Sequence, residues 1–314
     1  MQKKLKKPVV TGWPQVELDA RTFQKPLGEL TNTISLKVER EGIKRLKPNF
    51  AAIDIYMMLR QALRTYDLFF FINADERRKN DPDWRVGYSA AILPLIRCLI
   101  DCLYNITSIL NNPGPKGYQL RESGYKLTLA ALDADETRYG GDPKWDKYIA
   151  GRRAFIHTAM TACGITMADV QAAKTWPTLS SYLHVKTKTP LTAHQEFLKR
   201  LTFGFWQEYS GMAHATFQGL MPTAIFYTPS DIPWEHRQQF EDVGIDQMIS
   251  MHLARVAGVL LCTLTEVQVY FRFDGANINR RLHEIWKALI PVLEVKELYD
   301  ERYAELMEKK DILP

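Results

Sequence analysis

Apolar residues recur every three or four positions along most of the chain after residue 48, which is the spacing of one helical face. The clearest example is 50–73, where Ile, Met, Leu and Phe return with this period. Residues 1–48 lack the period, since four prolines interrupt them and only 33–40 shows the alternation of a strand. The pattern predicts an irregular N-terminal arm over 1–48, containing one short strand, and a helical domain over 49–314.

Capping and turn signals divide the helical domain into elements. Asn, Pro and Gly residues at 111–117 predict a helix end, 133–143 predicts a loop, and 245–273 predicts the longest buried helix. Three motifs have the residues of helix N-terminal caps: Asp142-Pro143, Thr166-x-x-Asp169 and Thr192-x-x-Gln195. We therefore predict an all-α fold, a single bundle of about eight helices joined by short loops.

The composition is that of an ordinary globular protein, with 46% hydrophobic and 25% charged residues. The net charge is +5, but four lysines lie among the first seven residues, so the rest of the chain is close to neutral. A nearly neutral body argues against an extended nucleic-acid surface. The four cysteines form no C-x-x-C pair, and no apolar run follows the first lysines. We expect a cytoplasmic protein with reduced thiols.

The two most apolar stretches, 89–110 and 253–273, each contain ionisable residues. Arg97 and Asp101 lie in the first stretch, and Arg255 and Glu266 lie in the second. Charged side chains are expensive in a bilayer, so we interpret both stretches as core helices and expect no membrane partner.

Two polar pairs with i,i+4 spacing predict a site. Arg97 and Asp101 share a face of the first apolar helix, and Ser210 and His214 share a face of a second helix over 206–220. Polar side chains on apolar helices need partners, and the small residues beside His214 let another helix approach closely. We therefore predict a buried network in which Arg97 reaches His214 in a dry interior.

Residues 50–222 resemble a family of all-helical bacterial proteins whose activity is not established. That family has an Arg-x-x-x-acid helix and, far downstream, a Tyr-containing segment with Ser-x-x-x-His and small residues after the His. The spacing to Trp176-Pro177 is also similar. The matching residues here are Arg97, Asp101, Tyr209, Ser210, His214, Ala215 and Thr216. The resemblance implies a helical core over 49–222 and does not cover the ends of the chain, where the residue pattern itself predicts C-terminal helices over 223–314.

A more distant resemblance is to the HEPN superfamily, helical ribonucleases of toxin and antiviral systems. Their motif is Arg-x(4–6)-His, and Arg152 and His157 fit its minimal spacing, with Arg153 where the family more often has Asn, Asp or His. The resemblance implies metal-independent cleavage of RNA in a site that a homodimer assembles.

Two functions therefore stay open. In the first, the Arg97 network is non-catalytic, and it fixes helix register or binds a small anionic ligand. In the second, His214 or His157 transfers protons during RNA cleavage while Arg97 or Arg152 stabilises the developing charge. The nearly neutral body favours the first. The sequence motifs of nucleotide-binding proteins, hydrolases and zinc proteases are missing, so we expect no cofactor. Three histidines do not have the spacing of metal ligands, so we expect no metal site: they are His184, His194 and His214.

Overall fold

A computed structural model describes residues 20–74, 92–184, 190–214, 234–275 and 277–309. It is 87% helical, and no strand occurs within those ranges, so the all-α prediction is confirmed. The helices are α1 (Gln24–Lys37), α2 (Ile43–Arg45), α3 (Asn49–Ala74), α4 (Leu93–Asn111), α5 (Pro113–Tyr139), α6 (Pro143–Ala162), α7 (Met167–Ala172), α8 (Ala193–Leu201), α9 (Gln207–Ala213), α10 (Trp234–Phe271), α11 (Ile278–Leu289), α12 (Leu293–Leu298) and α13 (Ala304–Lys309). Short π-helical or 3-10 segments link several of them.

The chain forms two compact units, each built from separated parts of the sequence. The first unit contains Met1–Lys37, Met57–Thr107 and Leu179–Pro314, and the second contains Val38–Tyr56 and Ser108–Thr178. The predicted boundaries after residues 48 and 222 stay predictions, and residue 222 lies outside the described ranges.

Helix α10 is the centre of the first unit. Nearly every side chain from Met248 to Val269 is buried, and α1, α11 and α12 pack against it. The contact with α12 is close at Gly258, where an added Cβ would lie 2.9 Å from Cγ2 of Val295. A glycine is therefore required for this helix pair to approach.

The N-terminal region differs from the prediction. Residues 20–45 are helical, and the predicted strand at 33–40 is wrong. Leu27, Leu30 and Ile34 recur at the helical spacing and are fully buried, and α1 packs on α10, so the helix gains more apolar burial than a strand would. Pro26 is tolerated because it lies in the first turn of α1. Residues 1–19 lie outside the described ranges.

Helices α5, α6 and α7 enclose the core of the second unit, which consists of Leu132, Ile156, Met160, Ile165 and Val170. All three predicted caps are confirmed. Asp142 accepts hydrogen bonds from two backbone N–H groups at the start of α6, and the Thr166 and Thr192 motifs form complete capping boxes.

The predicted loop over 133–143 is mostly helix. Helix α5 continues to Tyr139, and only Gly140 to Asp142 separate it from α6. Residues 133–139 contain no Gly or Pro, and Asp133 and Glu136, one turn apart, both bind Arg153 of α6. The Asn-Pro-Gly segment at 111–117 also contains only a brief break, because Pro113 occupies the first turn of α5.

Two helical segments, Leu93–Asn111 and Gln247–Phe271, are long and apolar enough to cross a membrane by length and composition. Their apolar windows are 67% and 89% buried within the protein. A mostly buried core helix passes the same test of length and composition, so the expectation that neither segment spans a membrane stays a prediction.

Candidate functional site

The contact between Arg97 and His214 is the centre of the candidate site in the first unit. Helix α4 presents Arg97, while His214 follows the last residue of α9 and is held by a 3.1 Å bond from its N–H to the carbonyl of Ser210. Nη1 of Arg97 lies 3.1 Å from Nε2 of His214. A guanidinium only donates, so Nε2 accepts and the imidazole proton is on Nδ1. The pairing predicted between these side chains is present, while their function stays a prediction.

Asp101 and Trp206 orient the guanidinium of Arg97. Its Nε lies 3.7 Å from Oδ2 of Asp101, and its central carbon lies 5.0 Å from the ring centroid of Trp206. The indole N–H of Trp206 in turn donates a 3.2 Å hydrogen bond to Oδ1 of Asp101. One edge and one face of Arg97 are therefore occupied by neighbours that favour a cation.

The expectation of a dry interior is wrong. The side chain of Arg97 is 29% exposed, that of Asp101 is 44% exposed, and His214 is an exposed residue. The reason is that α9 ends at Ala213, so His214 lies beyond the buried part of the helix, and Gly211 weakens the last turn. Ser210 is buried and contributes its carbonyl oxygen. Ala215 and Thr216 lie outside the described residues.

Partial burial changes the acidity of Asp101. Loss of water raises the pKa of this carboxyl, and the charge of Arg97 and the hydrogen bond from Trp206 offset only part of the rise. Asp101 therefore holds a proton more readily than a fully exposed aspartate.

The second pair, Arg152 and His157, is in the second unit on α6. His157 lines a groove of about 440 Å³ together with Lys126 and Arg153. Arg152 instead lies with its guanidinium 6.0 Å from the ring centroid of Phe155. Residues five positions apart on a helix diverge by about 140°, so the groove cation nearest His157 in sequence is Arg153, not the Arg152 of the HEPN-like motif.

A buried polar cluster in the first unit was missed by the sequence analysis. The phenol oxygen of Tyr209 lies 2.8 Å from Nδ1 of His252 and 3.1 Å from Nη1 of Arg255. The same Nη1 donates to both carboxylate oxygens of Glu208 at 3.0 Å, and Nη2 donates to Glu294 at 3.2 Å. The only signal was His252 and Arg255 three residues apart in an apolar helix.

Burial sets the protonation of this cluster. Loss of water raises the pKa of Tyr209 and lowers the pKa of His252, so both rings are neutral at physiological pH. The guanidinium of Arg255 stays charged because its partners raise its pKa despite desolvation. The cluster connects α9 to α10 and α12, and thereby holds the segment that presents His214.

The three histidines considered for a metal have different surroundings. His214 contacts Arg97, whereas His194 is close to Arg302 and Glu266, and burial there lowers the pKa of His194 to about 4. The side chain of His184 lies outside the described part of the structure. Within the described ranges, no group of three or more His, Cys, Asp or Glu side chains is arranged to hold a metal ion.

Comparison with family models, curated proteins and solved structures gives no match. Both resemblances suggested by the sequence therefore stay predictions. Function has to be inferred from the contacts of the Arg97 site and from the chemistry they permit.

Proposed function

We propose that the protein is a non-catalytic helical module that binds a small anionic ligand between Arg97 and His214. The proposal rests on one observation, the 3.1 Å contact between Nη1 of Arg97 and Nε2 of His214 at a solvent-accessible position. A guanidinium and an imidazole side by side are the groups that bind phosphate or carboxylate oxygens.

The surroundings of Arg97 favour a ligand over a purely structural role. Asp101 occupies the Nε edge and Trp206 the ring face, so the guanidinium is oriented before a ligand arrives. Its Nη2 has no hydrogen-bond acceptor among the described residues. An incoming oxyanion would accept from Nη2 of Arg97 and from the N–H at Nδ1 of His214. Pre-orientation reduces the entropy lost on binding.

Isothermal titration with inorganic phosphate and pyrophosphate tests the proposal. We expect saturable binding by the full chain, weakened about 10-fold or more in Arg97→Gln and in His214→Gln, because each change removes a charge-assisted hydrogen bond. His214 is exposed, so His214→Gln should change the free energy of unfolding by less than about 0.5 kcal/mol, whereas Arg97→Gln, which also loses the contacts with Asp101 and Trp206, should lower it by about 1 kcal/mol and leave the protein folded.

His157→Gln is the matched control, because this histidine is also exposed but lies in the second unit. It should bind the anions as the unmodified chain does. Absence of saturable binding, or equal binding by the Arg97 and His214 variants, would contradict the proposal.

The same contact supports a second candidate function, metal-independent cleavage of RNA. In this alternative, His214 takes the proton of a ribose 2′-hydroxyl as that oxygen attacks the adjacent phosphorus, and the bond to the 5′-oxygen breaks. The leaving oxygen takes a proton from Asp101, whose raised pKa suits a proton donor, and Arg97 stabilises the added negative charge.

Incubation of labelled RNA with the protein in the presence of EDTA separates the two candidates. Cleavage that disappears in His214→Ala and persists in His157→Ala would establish the nuclease and exclude the non-catalytic module. Intact RNA after prolonged incubation, together with phosphate binding, would leave the binding module alone. Loss of cleavage only in His157→Ala would move the activity to the α6 groove.

A further inference from the structure

Helix α6 exposes aromatic rings and cations on one face. The Phe155 side chain is 65% exposed and that of Tyr148 is 50% exposed, while Lys144, Lys147 and Arg152 are also exposed. At 100° per residue, these five side chains fall within about 140° of the helix circumference. We call this set the aromatic–basic face of α6. Two exposed rings on one helix face form an apolar patch flanked by cations, which is a surface that a partner can cover.

The charges of α6 are distributed asymmetrically around the helix. Its apolar side, with Ile149, Ile156 and Met160, packs into the core of the second unit. The acidic residue of its first turn, Asp146, points away from the aromatic–basic face and accepts a 3.1 Å bond from the N–H of Gly141. Asp142 caps the helix. The aromatic–basic face therefore contains cations without acidic residues.

Neighbouring arginines show the difference between the two sides of α6. Arg153 donates to Asp133 at 2.6 Å and to Glu136 at 2.8 Å, so its charge is compensated within the protein. No described residue forms an ion pair with Lys144, Lys147 or Arg152. These three cations remain available to an anionic partner.

Each ring of this face has one neighbouring side chain in contact with it. Trp145 stacks on Tyr139 with centroids 4.3 Å apart and planes 17° apart, and it meets Tyr148 edge-on at 5.7 Å. The guanidinium of Arg152 lies 6.0 Å from the ring centroid of Phe155. Tyr148 is therefore contacted by Trp145 while half of its surface is exposed to solvent.

We propose that the aromatic–basic face of α6 binds single-stranded nucleic acid. Unpaired bases stack on exposed rings, and phosphates pair with cations between the rings. Tyr148 and Phe155 are seven residues, about 10.5 Å, apart along the helix, and Arg152 lies between them, so the face presents two rings with a cation between them. An acidic peptide would use the cations and leave the rings unexplained, and a duplex would hide its bases.

This inference is compatible with the nearly neutral charge of the chain. A net charge close to zero argues against an extended basic surface that follows a duplex. One helix face with three cations, in contrast, needs no excess of positive charge in the rest of the chain. The Arg97 site belongs to the other unit, and the deoxy strand, which has no 2′-hydroxyl to take part in cleavage, separates binding at this face from the RNA-cleavage alternative at that site.

Fluorescence anisotropy with labelled 12-nucleotide oligouridylate, its deoxy counterpart and a duplex of the same length tests the proposal on the full chain. We expect both single strands to bind and the duplex to bind far more weakly. Tyr148→Ala and Phe155→Ala should each weaken single-strand binding by about 5- to 150-fold, through loss of one stacked base. Arg152→Gln should reduce the slope of log affinity against log salt by about 0.7.

Phe71→Ala and Lys287→Gln are the matched controls, because Phe71 is a 60% exposed ring on α3 and Lys287 an exposed cation on α11. Both should bind single strands like the unmodified chain, and thermal melting should show every variant folded, since all the altered side chains are exposed. Failure of single strands to bind at 50 mM salt, or equal affinity in the α6 variants, would overturn the proposal. The proposal would also be overturned if the same side chains bound phosphatidylserine vesicles or polyglutamate and did not bind single strands.

Discussion

At the residue scale, four arginines share one arrangement, in which the guanidinium lies over an aromatic ring and a carboxylate meets its edge. The sets are Arg97 with Trp206 and Asp101, Arg121 with Phe50 and Asp54, Arg255 with Phe205 and Glu208, and Arg302 with Phe197 and Glu266. A ring and a carboxylate together offset the desolvation of a cation. Arg97 is the most exposed of the four, at 29% against 11–19%. It is therefore the one suited to an external anion.

Two histidines, the buried His252 and the half-buried His194, predict acid lability. Burial is the main cause that lowers the pKa of His252 well below its usual value and that of His194 to about 4. Unfolded histidine takes up a proton near pH 6.5, so the unfolded state binds more protons in this range. The stability that the protein gains from keeping these two histidines neutral is fully present above about pH 6.5, and it is lost as the pH falls toward 4. For His194 the loss is at most about 3 kcal/mol.

Urea denaturation at pH 7.5, 6 and 5 measures this loss. His194→Gln should lose less stability between pH 7.5 and 5 than the unmodified chain, and His157→Gln, which removes an exposed ring, should lose the same. The comparison between variants is needed because burial raises the pKa of Asp54, which changes stability in the opposite direction. Identical pH profiles for His194→Gln and the unmodified chain would contradict the assignment.

At the element scale, local sequence signals predicted correctly where helices begin, but they predicted a loop where a helix continues. The caps at Asp142, Thr166 and Thr192 were correct because a capping side chain satisfies N–H groups within three residues of itself. The loop over 133–143 was an error because its acidic residues are partners of Arg153, which is 17 to 20 positions away. Spacing along one segment contains no information about such a partner.

The capping box of α7 should contribute measurably to stability. Oγ1 of Thr166 accepts from the N–H of Asp169 at 3.2 Å, and Asp169 accepts in return from the N–H of Thr166 at 2.8 Å. Thr166→Ala should therefore lower the free energy of unfolding by about 1 kcal/mol, measured by urea denaturation. Thr158→Ala, in the middle of α6 and exposed, is the control and should not be destabilising, since alanine is the better helix former. Equal destabilisation by both changes would show that the cap contributes nothing.

At the scale of the whole molecule, the division into two compact units cannot be predicted by reading the sequence from one end to the other. Each combines segments far apart in sequence, and no change of composition marks where the chain passes from one to the other. Both functional proposals are local within these units, since the Arg97 site belongs to the first and the aromatic–basic face to the second. The cytoplasmic location and the homodimer expected from the sequence stay predictions.

The sequence alone determined the helical class, the three caps and the pairing of Arg97 with His214. Apolar periodicity, capping residues and polar side chains on apolar helices can all be recognised in the sequence itself. It also predicted the helices over 50–73 and 245–273, which in the structure are Asn49–Ala74 and Trp234–Phe271, the second starting earlier and ending two residues sooner than predicted. Only the tertiary structure decided that 24–37 is a helix, that His214 is exposed, and that Tyr209, His252 and Arg255 form one cluster. Burial depends on which distant segment covers a residue, and local spacing does not specify that segment.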